Sequence, residues 1–582
     1  MEKLCKNINY RCSYYGKKEV EKKSIQVYGF DTEAYDTGQC FMYCTSEGDV
    51  WNREEFPHSL FSRKYRNANF VCFNLKYDES AILQFLDEDQ LRTLWTTDKV
   101  VVGDIKIKII PHKCLTISKK GHSAKFYDMY NFFQGSLNYN SKKYLGKEKL
   151  DIETKTFSFD FVKENWDRIA KYCIQDSILV KELAELIISK FENFGVYPKK
   201  LYSTAYISYQ YFSKNTNYQV VERFWKEDKK LLDFSLESYN GGKFEVTEKG
   251  TGYFYEYDIV SAYPYEIANL LSLEHARIIW EPKYRKWAAY GFIRVRMKIS
   301  LKTFSSVALK VNNTCIFYSG YVEKVITKTE YEYLIECNAD ITIIEAVWIH
   351  IDKKEYPYKK EIEQLVLQKK KFKQEGKELD LHTVKIFLNS LYGKFVQLIE
   401  TKTGFNASTC WNPIYASVIT ANVRVKISRM QQLYPEIIAV HTDSLISTSK
   451  LPISTGKELG DFDFECEGNG LILGCGVYQI GDKIRFRGFP IKEDLFELFD
   501  QNKNSIEIPH THVNSWREIA FHGWEHNKIN KFEELIKDVA CNFDSKRLWL
   551  DDYETFDEIF KRNVKSLPLW NIGIDINRTR RR

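Results

Sequence analysis

The sequence predicts a multidomain chain of mixed α/β (α+β) class, and three observations carry that prediction. Its 582 residues exceed the roughly 250–300 that one hydrophobic core sustains. Short β-branched and aromatic runs alternate with helical periodicity twice over, in 25–180 and again from about 241 to 450, which is the pattern of two α/β units. Between them, 190–240 reads as connecting helices.

In the first unit the β-rich runs are 25–30, 70–73 and 100–110, and a long helical pattern closes it near 166–190. In the second, strands are expected at 253–259, 291–299 and 437–440, with helices at roughly 358–374, 380–393 and 413–433. From 451 onward Gly-rich turns lead into a mixed region. The resulting divisions are 1–190, 191–240, 241–450 and 451–582. No internal repeat or low-complexity linker separates them.

Composition narrows the class. Hydrophobic residues make up 44% and charged residues 28%, as in globular proteins. No apolar run approaches the roughly 20 residues of a membrane span, and the charged N-terminus lacks the apolar centre of a signal peptide. Thirteen cysteines without a CxxC are expected to be reduced thiols in a cytoplasmic protein. The net charge of +6 does not by itself argue for nucleic acid. Basic runs at 369–373, 483–487 and 578–582 are by default solvated faces, and the 38 Tyr and 38 Phe are by default core.

Carboxylates at strand ends carry the first chemical signal. Asp31 and Glu33 follow the 25–30 run two residues apart, so in extended chain they share a face. Asp78 follows the 70–73 run. Tyr172 and Asp176, four apart, share a helical face. Convergent carboxylates repel unless cations lie between them, and Mg²⁺ or Mn²⁺ suits all-oxygen sites. Two such ions can activate water against a phosphodiester.

The second signal is Lys385-Ile-Phe-Leu-Asn389-Ser-Leu-Tyr392-Gly393. On a helix Lys385, Asn389 and Tyr392 share a face, offering a cation, an amide and a ring to a triphosphate, a sugar and a base. Strand-borne carboxylates flank it: Asp258 ends 253–259, and Asp443 sits just past the middle of 436–444. They would hold paired ions that activate a hydroxyl and neutralise a triphosphate, with the Ile259 carbonyl as a further oxygen ligand. Lys373 and Lys385 offer point charges to phosphates, and Tyr263 a surface beneath the sugar.

These segments, in this order, resemble the motifs of family B DNA polymerases with a proofreading exonuclease. Asp31-Thr-Glu33, Asn74…Asp78 and Tyr172…Asp176 resemble DxE, NxxxD and YxxxD. Asp258-Ile-Val-Ser261-Ala-Tyr263-Pro264, the Lys385 helix and His441-Thr-Asp443-Ser444 resemble DxxSLYP, KxxxNSxYG and DTDS. Lys149-Leu-Asp-Ile152, Ser136-Leu137 and Tyr239-Asn-Gly241-Gly242 are similar to elements of the protein-primed subgroup of small phages and linear plasmids. The resemblance implies an RNase H-like 3′–5′ exonuclease domain in 1–190. A right-hand palm, fingers and thumb would follow, with palm and fingers in 241–450, an insertion at about 300–357 that helps bind a terminal protein, and remaining palm and thumb in 451–582. It implies metal-site carboxylates at Asp31, Glu33, Asp78 and Asp176, with Tyr172 and Lys149 acting beside them, and at Asp258 and Asp443. It implies nucleotide contacts from Ile259, Tyr263, Lys373, Lys385, Asn389 and Tyr392. DNA contacts would come from Asn74, Tyr77, Ser136, Leu137, Tyr239, Gly241, Gly242, Ser261, Gly393, Tyr478, Arg485 and Arg487. The implied cofactor is Mg²⁺, two ions per site, with Mn²⁺ able to substitute. The implied partners of this monomer are primer-template DNA, deoxynucleoside triphosphates, a terminal protein that primes through a hydroxyl, and a single-stranded DNA-binding protein. The implied setting is the host cytoplasm.

Several positions depart from the family pattern. His441 stands where motif C has its first Asp, Ala262 replaces a Leu, and the KxY element survives only as Gly476-Val-Tyr478, so Arg485 or Arg487 is expected to supply the missing cation. A neutral His441 beside the metals would shift the Mg²⁺/Mn²⁺ preference. About twenty residues separate Gly393 from the helix near Pro413, little room for the subgroup's second insertion, which implies weak unaided strand displacement. His522-Gly-Trp-Glu525-His526 matches HxxEH, but a polar helix is the simpler reading. Alternatives of other classes are a nuclease active only at the N-terminal cluster and a non-catalytic replication scaffold.

Overall fold

The computed structural model describes residues 4–10, 22–152, 157–217, 220–311, 314–401, 404–488, 493–499, 504–550 and 553–570. The basic run 578–582 lies outside them.

The first unit is an eight-stranded mixed sheet with strand order Val50–Trp51, Cys40–Thr45, Tyr28–Ala34, Asn69–Cys72, His122–Asp128, Cys114–Lys119, Ile105–Ile110, Lys99–Val102. Its three central strands run parallel. Alternation explains the outer strands: in Ile105–Ile110 the buried Ile107 and Ile109 alternate with exposed Lys106 and Lys108, as a half-buried strand requires. The expected run 100–110 is two strands, because Gly103 adopts φ +59° and turns the chain into a hairpin. The first strand extends through Ala34 rather than ending at Phe30, since Asp31, Thr32 and Glu33 pair with Cys44, Tyr43 and Met42. Both carboxylates therefore stand on the strand itself.

Ser158 opens the helix Phe159–Asn193 by accepting a hydrogen bond from the Phe161 amide at 3.3 Å, an N-cap. The helix presses on Tyr28–Ala34 at Gly29, where a Cβ would lie 1.7 Å from the Ser177 carbonyl oxygen. Only glycine permits that approach. Helices Thr204–Asn215, Glu222–Glu227 and Lys229–Ser238 follow.

The second sheet has nine strands, with Lys243–Val246, Ile437–Thr442, Ser444–Ser447, Glu248–Ile259, Phe462–Gly474, Val477–Ile480 and Lys483–Phe486 in order. Helix Pro413–Leu433 packs on this sheet, Val423 and Ile427 meeting Tyr257, Ile259 and Val440, and Lys359–Gln374 and Glu378–Ser390 pack on each other beside the short helix Ala262–Ala268 that follows Asp258. The expected helix 380–393 is broken at Leu391, and Tyr392–Val396 forms a short second piece. Asn412 caps the Pro413 helix through a bond from the Tyr415 amide at 3.2 Å, with Pro413 at the position where a missing N–H costs nothing.

Between them, Arg277–Trp280, Asp340–His350, Tyr290–Ile299 and Gly320–Thr327 build a separate four-stranded antiparallel sheet with its own core around Val295, Met297 and Trp348. After Val396 only a short hairpin, Leu398–Thr401 with Gly404–Ala407, intervenes, and it pairs with Ile8–Asn9. The hairpin Ser505–Val513/Phe532–Ala540 carries the helix Trp516–His522 at its far end. That helix docks on the first unit: Trp516, Ile519 and Ile529 share a core with Leu91, Leu94 and Ile82. Among the described residues no helix is long and apolar enough to cross a membrane.

Candidate active sites

The first site forms where the Gly29 contact brings the long helix onto the Asp31 strand. Ligand atoms of Asp31, Glu33 and Cys173 all lie within 4.8 Å of one another. Asp78, on the helix Leu75–Ile82, is buried and accepts a hydrogen bond from Thr32 Oγ1 at 2.8 Å. Asp176 is 3% exposed; one oxygen pairs with Lys149 and the other is buried without a partner. The Lys149 ammonium also sits 4.8 Å over the Tyr172 ring. Burial, then the charge of Asp176, pushes the Asp31 carboxyl up to about 7, and burial with Asp31 and Asp176 raises Glu33. Such mutual destabilisation is relieved by a bound cation, and the oxygen-rich donor set fits a divalent one.

The sequence places the other first-site residues less directly. Asn74 turns the chain at φ +67°, and its amide binds Asp128 at 3.1 Å. The Tyr77 carbonyl accepts from Asn530 at 3.3 Å. The Ser136 hydroxyl caps its helix through the Tyr139 amide at 3.1 Å, and Leu137 is buried in the core. A contact from Leu137 to DNA would fall to its backbone.

At the second site Asp258 ends its strand opposite Ser444. Asp443 is not mid-strand as expected. It occupies a two-residue hairpin turn in which Thr442 takes φ +70°, a conformation that is strained for a β-branched residue. The Ile259 amide donates to the Asp443 carbonyl at 3.0 Å, fixing the turn beside Asp258. Burial, then Asp443, pushes Asp258 up to about 7, and burial pushes Asp443 up to about 6. The pair suits hard divalent ions for the same reason as the first site. No His or Cys groups with these two carboxylates among the described residues.

Tyr263 and Tyr392 stack face to face, ring centres 4.3 Å apart and 10° from parallel. A Cβ on Gly242 would lie 2.6 Å from Thr442 and 2.9 Å from the Tyr263 hydroxyl, so that glycine allows the turn and the ring to meet. Buried Arg424 binds the carbonyls of Asn240 and Gly241 at 2.7 and 2.9 Å, which holds the segment after Tyr239. Lys385 and Asn389 are exposed on one helical face. Gly393 faces open space.

Lys369, read from sequence as part of a solvated run, instead donates to Ser261 Oγ at 3.0 Å. Burial, followed by the charges of Lys385 and Lys373, lowers its pKa, so three ammonium groups converge near Asp258. Its i, i+4 spacing from Lys373 was the available signal. Ser261 itself takes φ +53°.

Tyr478 is in the sheet core, 5% exposed, with its hydroxyl donating to Glu256 at 3.0 Å. That placement leaves no hydroxyl for a DNA contact. Glu256 also accepts from Ser444 Oγ at 3.0 Å and pairs with Lys483 at 2.7 Å. Arg487 is the cation beside the position of the lost KxY lysine, since a Cβ on Gly476 would lie 2.9 Å from its Cβ and 3.3 Å from its Cδ. Arg487 lies 4.8 Å over the Phe244 ring, and Arg485 is exposed on the strand Lys483–Phe486. His441 stacks on Tyr478 at 4.9 Å and packs against Phe244. Burial pushes its imidazole down to about 4. The ring is therefore a neutral packing element between Tyr478 and Phe244. His522 and His526 also separate: His522 stacks on Trp524 at 4.4 Å, and His526 bonds the Leu86 carbonyl at 2.7 Å.

Residues 122–409 match the family of type B DNA polymerases, organellar and viral. No curated protein is similar in sequence. Among solved structures the fold is that of Phi29 DNA polymerase. In its ternary complex with primer-template DNA and incoming nucleotide substrates that protein is 14% identical, over 89% of this chain and 100% of that chain, with TM-score 0.62. Complexed with single-stranded DNA it is 16% identical over 83% and 97%, with TM-score 0.58. The likeness to family B DNA polymerases read from the motifs agrees with the match over 122–409, and the mixed multidomain class is borne out.

Proposed function

With residues 122–409 matching the organellar and viral type B DNA polymerases and the fold of Phi29 DNA polymerase around them, we propose that this chain is a template-directed DNA polymerase with a 3′–5′ proofreading exonuclease. The observation that carries the reading is the Asp258–Asp443 pair facing three converging lysines and a stacked Tyr263–Tyr392 floor. Divalent ions held by Asp258 and Asp443 would acidify the primer 3′-hydroxyl and neutralise the charge of the transferring phosphoryl group. Lys369, Lys373 and Lys385 receive the triphosphate of a deoxynucleotide. The stacked tyrosines bear the sugar and the nascent base pair. Gly241 and Gly242 bring the backbone close to the template.

At the first site Asp31, Glu33 and Asp176 would hold the ions, Asp78 shapes the cluster through Thr32, and Tyr172 with Lys149 would orient water toward the terminal phosphodiester. Excision there and synthesis at Asp258 are separate reactions on one primer. Priming by a terminal-protein hydroxyl is part of the proposal. The four-stranded sheet from Arg277 to His350 is its candidate docking element, and transfer of a labelled deoxynucleotide onto a partner protein tests it.

The proposal is tested by nucleotide addition to a primed template with Mg²⁺. Wild type and an Asp31→Ala/Glu33→Ala double variant should both extend the primer, and Asp258→Ala should not. Failure of the wild type to extend, with excision intact, would favour the nuclease reading.

A further inference from the structure

The exonuclease cluster contains a sulfur atom that excision does not use. Cys173 follows Tyr172 on the long helix, is fully buried, and its Sγ lies within 4.8 Å of the ligand oxygens of both Asp31 and Glu33. The strand register sets Cys44, also fully buried, directly across from Asp31. A second observation points to an ion. The remaining Asp176 oxygen is buried with no hydrogen-bond partner on a side chain 3% exposed, and its charge acts on both Asp31 and Glu33. A buried acceptor left unsatisfied in a native protein calls for a partner.

We infer that this cluster is a mixed thiolate–carboxylate site for a thiophilic divalent cation, zinc being the physiological candidate, with Cys173, Asp31 and Glu33 as ligands and Asp176 or a water completing the shell. The inference rests on reading the Asp31 cluster as a divalent-metal site and adds the sulfur ligand and its consequence. Zn²⁺ favours four ligands and accepts sulfur and carboxylate oxygen together, and it exceeds the hard ions in affinity for such donors. Mg²⁺ takes oxygen ligands in octahedral geometry and leaves the thiol protonated and uncoordinated. On zinc binding the Cys173 S–H proton passes to solvent and the Zn–S bond forms. The ion then fills the place the hard ions need, and excision stops. Among the described residues the Asp258–Asp443 pair groups with no cysteine or histidine, so the synthesis site offers zinc no sulfur ligand. The cluster thereby becomes a zinc-sensitive brake on proofreading alone.

The test uses the full chain and Cys173→Ser, which keeps a hydroxyl but cannot form a thiolate bond. Cd²⁺ is titrated in excess Mg²⁺ while the ultraviolet thiolate-to-cadmium band is followed. Wild type should develop a saturable band that Cys173→Ser lacks. The zinc concentration that halves excision should rise at least tenfold in Cys173→Ser, with zinc inhibition of synthesis unchanged. Equal bands in the two proteins, or equal zinc sensitivity of excision, would overturn the inference. If wild type shows no Mg²⁺-dependent excision yet keeps a Cys173-dependent band, the sulfur ligand stands and the exonuclease reading falls. If Cys173→Ser does not fold, X-ray absorption of wild type holding one zinc decides: a Zn–S shell at about 2.3 Å supports the site, and a shell of oxygen and nitrogen only refutes it.

Discussion

Glu256→Gln isolates the buried device that presents Asp443. The Glu256 side chain is 2% exposed and gathers Ser444, Tyr478 and Lys483 at 3.0, 3.0 and 2.7 Å. Ser444 is the residue after Asp443, and Thr442 before it is held at φ +70°, so the network braces a strained turn from one side. Glutamine keeps an acceptor for one hydroxyl and removes the charge that holds Lys483. Removing one partner of a buried pair costs roughly 3–5 kcal/mol. The Lys483 side chain is 24% exposed and recovers water, so about 2 kcal/mol is a fair figure for this site. If the strained turn loses that much bias, the productive Asp443 position becomes about thirtyfold rarer. The expected outcome is a kcat for nucleotide addition reduced by about ten- to thirtyfold, with KM for the triphosphate and the excision rate unchanged. Burial alone would raise the Glu256 carboxyl, but Lys483, Ser444 and Tyr478 outweigh it and hold it below the ordinary value. A depressed carboxylate stabilises above its unfolded pKa and ceases to do so as pH falls through its folded one. The stability difference between wild type and Glu256→Gln should therefore shrink in acid. Single-turnover kinetics with equal kcat in the two proteins would refute the bracing role.

Three further outcomes follow from the same geometry. Lys369→Ala should lower kcat/KM for the incoming deoxynucleotide by about tenfold, the value of one charge-assisted contact, and leave excision of single-stranded DNA untouched; steady-state kinetics on both reactions checks it. Asp258 and Asp443, raised to about 7 and about 6, contribute stability below their unfolded pKa that is lost as pH rises through those values, so in an Asp31→Ala/Glu33→Ala background Mg²⁺ should raise the thermal midpoint more at pH 8 than at pH 6. Trp516→Ala removes a side chain 1% exposed that bonds Glu79 at 2.9 Å and should cost about 3–5 kcal/mol locally, releasing the helix from the first sheet; faster limited proteolysis within 514–531 and shorter products per binding event are the readouts.

The strand-end carboxylates were legible in sequence because alternation and motif spacing act over a few residues. Asp176 and Asp258 fall on the elements anticipated for them, and Asp31 and Glu33 on a strand that runs past the end expected for it. What escaped depends on chain segments meeting from afar. Glu256 meets Lys483 only across the second sheet, and the Asp443 turn depends on a positive φ at Thr442 that local propensity disfavours. Lys369 was hidden in a run of lysines whose solvated reading is usually right. The docked helix at Trp516 was masked by an HxxEH pattern, while its actual partners, Glu79, Ser80 and Leu86, lie more than four hundred residues earlier. The break at Leu391 fell inside a strongly periodic helix, where periodicity gives no warning.

The central claim is two separate active sites sharing one primer, and a single gel on a primer with a mismatched 3′ end tests it most directly. With Mg²⁺ and no nucleotides, wild type and Asp258→Ala should shorten the primer and Asp31→Ala/Glu33→Ala should not. With all four deoxynucleotides, wild type should remove the mismatch and run to full length, whereas Asp258→Ala should only degrade. Shortening that persists in the Asp31→Ala/Glu33→Ala protein, or extension that persists in Asp258→Ala, would contradict the account.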